Sequence, residues 1–473
     1  MTDSNENPTH NASQAQAPNP APDPTPTRKY SNEHADTWHL STRQIHAGQP
    51  VDDTGARNLP IHFTSSYVFN SAEHAKQRFA LEDLGPVYTR LTNPTVEALE
   101  NRLASLEGGV HAVAFASGMA AETAAILNLA EAGDHIVTSP RLYGGTETLF
   151  KVTLPRLGIT TTFVENPDDP ESWQAAVQPN TKAFFAETFA NPQADVLDIP
   201  TVGGVAHKNN VPLIVDNTLA TAALVRPLEL GADIVVASLT KFYTGNGSGL
   251  GGIIVDGGSF DWTVTRGTDA GQQPVFPGFV TPDPAYHGLK YADLGPAAFG
   301  LKARVGLLRD TGAAISPFNA WVAAQGLDTL TLRVAKHNEN AAEVAAYLND
   351  HPKVAAVNFA GLPDSPWRAT KDKLGLEHTG SVLSFALATE DENSEAATAT
   401  AWAFIDALRL HSNLANVGDV RSLVVHPATT THSQSDAAGL ARAGISQATI
   451  RLSVGIEDVR DIIADLDRGF AAI

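Results

Sequence analysis

The sequence predicts an α/β protein in which helices cover both faces of a mostly parallel sheet, followed by a smaller C-terminal α+β domain. Three observations support this prediction. From residue 94 to about residue 316, short apolar segments alternate with segments of helical spacing, as in parallel strands joined by helices. Beyond residue 316 the pattern changes to long helical segments and shorter strands. The chain has 473 residues, more than one typical core accommodates.

The first 93 residues contain no long periodic element. Residues 1–37 are polar and rich in proline, which predicts a disordered tail. This tail lacks the apolar stretch of a secretion signal. Residues 38–93 have little core of their own, so we expect an N-terminal arm that lies on another surface.

The large domain is predicted to span residues 94–316. Thr92, Asn93 and Pro94 form a typical helix start, and Gly108 with Gly109 ends that helix. The predicted strands cover residues 110–115, 134–139, 159–165, 181–187, 211–217, 234–237 and 251–256. The predicted helices cover residues 96–109, 118–133, 146–158, 171–177 and 199–210.

The small domain is predicted to span residues 317–473. It begins with a strongly helical segment, residues 318–352. The strands that follow are predicted at residues 354–359, 382–387, 422–426 and 448–454, and the helices at residues 396–408 and 459–471.

Composition excludes several classes of function. The formal net charge is −20, from 52 acidic residues against 32 lysines and arginines, which argues against nucleic acids or anionic membranes as partners. There are no cysteines, so disulfides, thiolate metal sites and cysteine nucleophiles are excluded. No apolar run reaches the roughly 18 residues of a membrane span. We therefore expect a cytoplasmic protein.

A single lysine surrounded by hydroxyl groups and glycines follows the predicted strand 234–237. Desolvation at a sheet end should lower the pKa of Lys241 and leave a neutral amine that attacks a carbonyl. Ser238 and Thr240 offer hydroxyl donors to an anion, and the glycines after Gly245 permit close approach. An aldehyde together with an anion suggests pyridoxal phosphate. The alternative is an ordinary surface lysine in a flexible glycine loop.

Three further positions fit such a ligand. Asp216 ends an apolar strand, where its carboxylate would keep a pyridine nitrogen protonated. Gly118 and Met119 open a helix directly after a strand, and free amides there would hold a phosphate. Tyr143 could stack on a flat ring. The alternatives are a strand-capping aspartate, an ordinary strand-to-helix turn and a core tyrosine.

Five short motifs occur together in a characteristic order and spacing: SGM at 117–119, LYGGT at 142–146, ETFANP at 187–192, VDNT at 215–218 and SLTK at 238–241. On these motifs the chain resembles the Cys/Met-metabolism family of pyridoxal-phosphate enzymes, over nearly all of residues 41–473. The resemblance implies the fold of PLP-dependent transferases of fold type I, with a seven-stranded type of sheet in the large domain.

The resemblance also implies a role for each matching cofactor residue. Lys241 resembles the lysine that binds the cofactor aldehyde and moves protons, and Asp216 the partner of the ring nitrogen. Tyr143 resembles the stacking tyrosine, which we also assign to catalysis, and Asn191 the asparagine near the phenolic oxygen. The residues that resemble the phosphate cradle are Gly118, Met119, Ser238 and Thr240.

Substrate and subunit contacts are implied in the same way. Arg451, in ATIRLSVGIED, resembles the arginine that binds the substrate α-carboxylate, and Asn416 is assigned to the same substrate site. Tyr88 and Arg90, in VYTRLTNPT, resemble the pair that reaches the phosphate of the neighbouring subunit. This implies a homodimer, usually doubled to a homotetramer.

Three features resemble the O-acetylhomoserine sulfhydrylases within the family. Gly145 stands where methionine γ-lyases have a cysteine, and residues 416–419 read Asn-Val-Gly-Asp. Residues 256–293 form an insertion that we expect beside the active site, where it would narrow access and suit a small nucleophile. We expect no metal at His426 and His432, because their spacing and the absence of thiols do not fit a metal site.

The activity implied is γ-replacement on O-acetyl-L-homoserine with sulfide or methanethiol, giving homocysteine or methionine and acetate. The alternatives are a methionine or cystathionine γ-lyase, or an enzyme that uses the O-succinyl ester, such as a cystathionine γ-synthase. A PLP-binding scaffold without catalysis is a further alternative, although the motif set from Tyr88 to Arg451 is intact.

Overall fold

The computed structural model describes residues 35–49, 55–80, 82–83, 85–268 and 271–473. Of the predicted tail, residues 1–34 lie outside the described residues, and Ala35–Thr37 form a 3-10 helix. The described residues all belong to one compact unit, which spans residues 32–473.

A seven-stranded sheet forms the first layer of regular structure. Its strands are β1 His111–Phe115, β2 His135–Thr138, β3 Thr160–Phe163, β4 Thr181–Glu187, β5 Leu213–Asp216, β6 Ile234–Ser238 and β7 Gly252–Asp256. The order across the sheet is β1-β7-β6-β5-β4-β2-β3. Strand β7 is antiparallel to its neighbours β1 and β6, and the other six strands run parallel to one another. The predicted mostly parallel α/β fold is confirmed.

Helices surround this sheet and connect its strands. They are α1 Leu40–His46, α2 Ala72–Phe79, α3 Pro94–Glu107, α4 Gly118–Leu127, α5 Gly144–Thr148, α6 Leu154–Arg156, α7 Pro170–Ala175, α8 Ile199–Lys208, α9 Thr221–Leu224, α10 Pro277–Val280, α11 Ala298–Lys302 and α12 Arg309–Thr311. The π-helical segments Leu149–Thr153 and Ala303–Leu308 join α5 to α6 and α11 to α12. Short 3-10 helices cover Pro227–Leu230, Pro284–Tyr286, Tyr291–Ala297 and Pro427–Thr429.

Helix α3 begins and ends where the sequence predicts. The Asn93 side chain accepts a hydrogen bond of 3.0 Å from the backbone N–H of Thr95, and Pro94 occupies the first turn. Gly108 ends the helix at φ +83°, a conformation that glycine adopts without steric cost.

The sheet buries side chains on both faces. In β6, Ile234 and Val236 belong to one apolar cluster, whereas Val235 and Ala237 belong to another. Because successive strand residues point to opposite faces, the two clusters lie on opposite sides of the sheet. Strand β6 is therefore buried on both faces, as predicted for the strand that precedes Lys241.

A second, five-stranded sheet follows in the chain. Its strands are β10 Val354–Asn358, β11 Val382–Leu387, β12 Ser412–Asn413, β13 Leu423–Val425 and β14 Thr449–Ser453, in the order β10-β11-β14-β13-β12. Its helices are α13 Pro317–Leu327, α14 Leu330–Asn349, α15 Arg368–Lys373, α16 Glu395–Ala407, α17 Ala437–Arg442 and α18 Val459–Ala471. The helical segment predicted at 318–352 is thus two helices.

The arm lies on helices α3 and α13. Ala47 and Leu59 are buried, and their carbonyls accept hydrogen bonds from Arg102 Nε at 2.9 Å and Trp321 Nε1 at 3.1 Å. Part of the arm therefore packs on its own chain, and its contact with a neighbouring subunit stays a prediction.

The insertion at residues 256–293 lies at the edge of the first sheet where the parallel strands begin. It contains the hairpin of β8 Thr265–Thr268 and β9 Gly271–Pro274, and the Arg266 guanidinium donates to the Asn209 carbonyl, just before β5, at 2.9 Å. The expectation that it lies beside the active site is wrong for this chain's own site, because antiparallel β7 takes the chain to the opposite edge.

Among the helices of the described residues, none combines the length and the apolar character that crossing a membrane requires.

Candidate active site

A cavity of about 270 Å³ opens at the edge where β4, β5 and β6 end. Many of the predicted site residues line it: Gly118, Met119, Tyr143, Asn191, Asp216, Ser238, Thr240, Lys241, Asn416 and Arg451. Ligands of parallel α/β sheets bind at this edge, so the cavity is the candidate active site.

Lys241 lies in the turn that follows β6. Its Nζ donates a hydrogen bond to Asn416 Oδ1 at 2.5 Å. Burial lowers the pKa of Lys241, and the positive charge of Arg451 lowers it further. A larger fraction of Lys241 is therefore neutral than for an exposed lysine, and the neutral amine is the nucleophilic form.

Asp216 is the last residue of β5 and is 9% exposed. Its Oδ1 accepts a hydrogen bond of 2.7 Å from the backbone N–H of Thr218. Burial raises the pKa of Asp216, while hydrogen bonds from Thr218 and Glu122 act in the opposite direction. A cationic ring nitrogen beside this carboxylate would favour its ionised form.

The start of helix α4 and the loop after β6 form a cradle for an anion. Ser117 caps the helix by accepting from the backbone N–H of Ala120 at 3.2 Å. The first N–H groups of a helix, here those of Gly118 and Met119, have no partner within the helix and attract anions. A side chain at Gly118 would meet Ser238 Cβ at 2.7 Å, so glycine allows the two segments to approach. These residues fit a phosphate group.

Arg451 projects from β14 of the second sheet into the cavity. Its Nη1 donates to Asn191 Oδ1 at 3.3 Å and its Nη2 to the Asn416 carbonyl at 3.0 Å. The buried Nε has no hydrogen-bond partner in the described part of the chain. Burial lowers the pKa of Arg451 to about 10. A buried guanidinium with an unused donor fits a carboxylate ligand.

Tyr143 lies at the start of α5 and is 47% exposed. Its backbone N–H donates to Glu187 Oε1 at 2.5 Å, which fixes the tyrosine at the cavity mouth. Burial and the charge of Asp216 raise the pKa of Glu187 well above its usual value.

Sequence reasoning gave no role to five polar residues of this cavity: Ser117, Glu122, Glu187, Thr218 and Thr431. Glu187 ends β4, so the rule that ligands bind at the ends of parallel strands would have found it. Glu122 and Thr123 are the polar side chains of a helix that otherwise consists of apolar residues, and no pattern marks Glu122.

Tyr88 and Arg90 do not line this cavity. Tyr88 is 45% exposed, and the Arg90 guanidinium lies 5.5 Å from the centre of its ring. His426 and His432, the two histidines considered as metal ligands, form hydrogen bonds with protein groups. His426 contacts Thr429 Oγ1 at 2.8 Å and the Gln447 carbonyl at 2.9 Å, and His432 contacts Thr431 Oγ1 at 3.0 Å.

Residues 41–471 match the family model of the Cys/Met metabolism PLP-dependent enzymes. The chain belongs to this family. The cofactor of this PLP-dependent enzyme is pyridoxal phosphate, and the predicted cofactor is confirmed. The match covers both sheets and all the residues that line the cavity.

Individual members of the family are similar over almost the whole chain. The O-acetyl-L-homoserine sulfhydrylase of Corynebacterium glutamicum is 75% identical over 447 residues, which cover 94% of this chain and 100% of that one. A putative O-acetylhomoserine (thiol)-lyase of Campylobacter jejuni, solved with a pyridoxyl-lysine monophosphate, has a TM-score of 0.86 at 37% identity and covers 92% of this chain and 100% of its own.

A second solved structure belongs to the lyase side of the family. The cystathionine γ-lyase of Lactobacillus plantarum, complexed with L-serine, has a TM-score of 0.76 at 30% identity, covering 92% of this chain and 99% of its own. The predicted fold of PLP-dependent transferases of type I is confirmed by these neighbours.

Proposed function

We propose that this protein catalyses γ-replacement on O-acetyl-L-homoserine with sulfide or methanethiol, giving homocysteine or methionine and acetate in methionine biosynthesis. One observation of the site supports it most directly: a desolvated lysine and a buried arginine with an unused Nε share one cavity. The ester is chosen because the relative at 75% identity is named for O-acetyl-L-homoserine.

Each predicted residue has a proposed part in holding the cofactor. Lys241 would bind the aldehyde, Asp216 the ring nitrogen and Asn191 the phenolic oxygen, while Tyr143 would stack on the ring. The phosphate would be held by Gly118, Met119, Ser238 and Thr240. When bound, pyridoxal phosphate supplies an electron sink that stabilises negative charge on the substrate carbons.

Lys241 is the proposed proton carrier. As a neutral amine, its Nζ would accept the proton from the substrate Cα and move it within the complex before the acetate leaves from Cγ. Asn416 Oδ1, which accepts a hydrogen bond from Nζ at 2.5 Å, would orient the amine during this transfer.

Arg451 is the proposed anchor of the substrate α-carboxylate. Its guanidinium is held by Asn191 and the Asn416 carbonyl, so little rotamer freedom remains to be lost on binding. A carboxylate that accepts from Nε would satisfy the unpaired donor and fix the Cα–H bond relative to Lys241.

We also propose a homodimer, doubled to a homotetramer, in which Tyr88 and Arg90 reach the phosphate of the neighbouring subunit. Both residues are exposed and line no part of this chain's own cavity. In the same arm Phe63 is 80% and Val68 95% exposed, and exposed apolar side chains clustered in one segment favour an interface.

The proposal keeps the division into an arm at residues 38–93, a large domain at 94–316 and a small domain at 317–473, because the two sheets fall on either side of residue 316. Residues 1–34 of the tail remain predicted to be disordered, whereas the prediction is wrong for residues 35–37, which form a 3-10 helix. A cytoplasmic location is also proposed.

The decisive experiment is to incubate the holoenzyme with O-acetylhomoserine, with and without sulfide, and to follow homocysteine, acetate and ammonia. We expect homocysteine and acetate in equal amounts, and only when sulfide is present. Parallel reactions with O-succinylhomoserine and with methanethiol define the ester and the nucleophile. Ammonia and an oxoacid formed without sulfide would contradict the proposal and identify a γ-lyase.

A further inference from the structure

Glu122 is a buried acid whose function the proposed reaction does not explain. It lies on α4, is 4% exposed and lines the same cavity as Asp216. Thr146 Oγ1 donates to Glu122 Oε2 at 2.8 Å, and the Glu122 carboxyl group is hydrogen-bonded to the carboxyl group of Asp216.

Two carboxyl groups in direct contact form a hydrogen bond only if one of them carries a proton. The charged residues Lys241 and Arg451 line the same cavity, but the charges that act on Glu122 are those of the acids Asp216 and Glu187, which disfavour its ionised form. Two ionised carboxylates in contact would repel each other in a site of low dielectric. The pair Glu122–Asp216 therefore shares a proton.

The hydrogen bonds around the pair decide which acid holds that proton. Both the backbone N–H and the side chain of Thr218 hydrogen-bond to Asp216 and favour its ionised form. The donor to Glu122, apart from the shared proton, is the Thr146 hydroxyl. Thr146 occupies one acceptor site of Glu122, which leaves a protonated Glu122 able to donate a hydrogen bond to Asp216.

We propose that Glu122 is a positioning residue that stays protonated, donates a hydrogen bond to Asp216, and so keeps Asp216 ionised opposite the cofactor ring nitrogen. This rests on the proposed function insofar as Asp216 is the partner of that nitrogen. Without the donor, Asp216 becomes more basic, and the proton it shares with the ring nitrogen moves toward the carboxylate. The ring then withdraws electrons less strongly.

The test compares Glu122→Gln with Glu122→Leu in the holoenzyme, without substrate. Glutamine retains a donor for Asp216 and an acceptor for Thr146, whereas leucine has neither. The readouts are the nitrogen NMR shift of ring-labelled pyridoxal phosphate, the infrared band of a protonated carboxyl group, and the affinity of the apoenzyme for the cofactor. Glu100→Gln is the control, because Glu100 is a buried acid bound to Arg304 and not to the cavity.

We expect the ring nitrogen to stay protonated in the wild type, in Glu122→Gln and in Glu100→Gln. In Glu122→Leu its shift should move toward the unprotonated value, and cofactor affinity should fall about tenfold, the equivalent of one lost hydrogen bond to a charged group. The infrared spectrum of the wild type minus that of Glu122→Gln should show the band of one protonated carboxyl group.

A wild-type ring shift in Glu122→Leu would overturn the proposal, and so would an unprotonated ring in Glu122→Gln. If Glu122→Leu does not fold, Glu122→Gln decides alone: an infrared band unchanged from the wild type shows that the protonated carboxyl group is not Glu122. These measurements need no substrate. Failure of homocysteine synthesis would therefore be seen separately from failure of this inference.

Discussion

Charged side chains at the two edges of the first sheet differ in their hydrogen-bond partners. At the edge where the parallel strands end, Lys241 and Arg451 line a cavity, and Arg451 Nε has no hydrogen-bond partner among the described residues. At the edge where they begin, Asp233 Oδ2 accepts from the backbone N–H of Leu213 and from His207 Nε2, each at 2.8 Å. There Asp256 accepts from the backbone N–H groups of Gly258 and Gly300, each at 2.9 Å.

Aromatic side chains pack together at the second edge. Trp262 stacks on Phe279 with ring centres 4.5 Å apart, and Phe276 and Phe299 pack against the same indole. The insertion thus stabilises the fold, whereas the open edge keeps charges available for a ligand. Substitutions at the two edges should therefore affect different properties: catalysis at the first, stability at the second.

The largest difference is expected between two lysines. Lys241→Ala should reduce homocysteine formation by about 10³-fold or more, because the proposed proton carrier is lost. Lys182→Ala, at the other edge, removes a hydrogen bond to the Val275 carbonyl and should leave kcat within about twofold. Steady-state kinetics and absorbance of the bound cofactor check both. Equal losses in the two variants would contradict the distinction between the edges.

A matched pair of aspartates gives the next largest effect. Asp216→Asn should lower kcat by about 10²-fold, because the amide cannot hold a proton on the ring nitrogen. Asp233→Asn should lower the free energy of unfolding by about 1–3 kcal/mol through its lost hydrogen bonds, with kcat unchanged. Urea denaturation and kinetics separate the two. An Asp233→Asn enzyme of normal stability and low kcat would argue against a purely structural second edge.

Arg451→Lys tests the carboxylate anchor. Lysine keeps a positive charge but loses the planar pair of donors, so we expect kcat/KM for O-acetylhomoserine to fall about 10- to 100-fold, mainly through KM. Cofactor affinity should change little, and fluorescence titration of the apoenzyme measures it. A normal KM in this variant would show that the carboxylate binds elsewhere.

The smallest expected effect is the pH dependence of stability at the second edge. The hydrogen bond to Asp233 raises the pKa of His207 above its ordinary value, against the effect of burial. Stabilisation by this pair is fully present below the unfolded pKa of about 6.5 and is lost as pH rises through the raised folded pKa. Because His207 is 44% exposed, we expect only a few tenths of a kcal/mol. Denaturation curves of the wild type and His207→Asn, compared across this range, should converge at high pH.

Part of the open edge could be predicted from the sequence because several of its residues end or directly follow a buried strand. Asp216 ends β5, Lys241 follows β6, and Gly118 begins a helix after β1. The prediction of ligand residues at strand ends does not include the direction of β7, although the helix-free connection from Lys241 to Gly252 favours an antiparallel strand. The wrong position of the insertion follows from this omission.

Glu122 could not be found in the same way. Its neighbours Ala121, Ala124 and Ala125 make α4 an ordinary core helix in sequence, and periodicity does not reveal which acid meets Asp216. The exposure of Phe63 also has no local signature, because it depends on what the arm contacts rather than on the arm itself.

The attachment of Arg451 to the second sheet, while Lys241 belongs to the first, has a consequence for the engineering of new specificity. The wall of the cavity contributed by Ala415, Val417 and Thr431 is separate in the chain from the residues proposed to bind the cofactor ring. Variants with substitutions confined to this wall can be screened for activity with other leaving groups or thiols. Absorbance of the bound cofactor would still report an intact Lys241. In this fold, selection for a new substrate and retention of the chemistry are two separable problems.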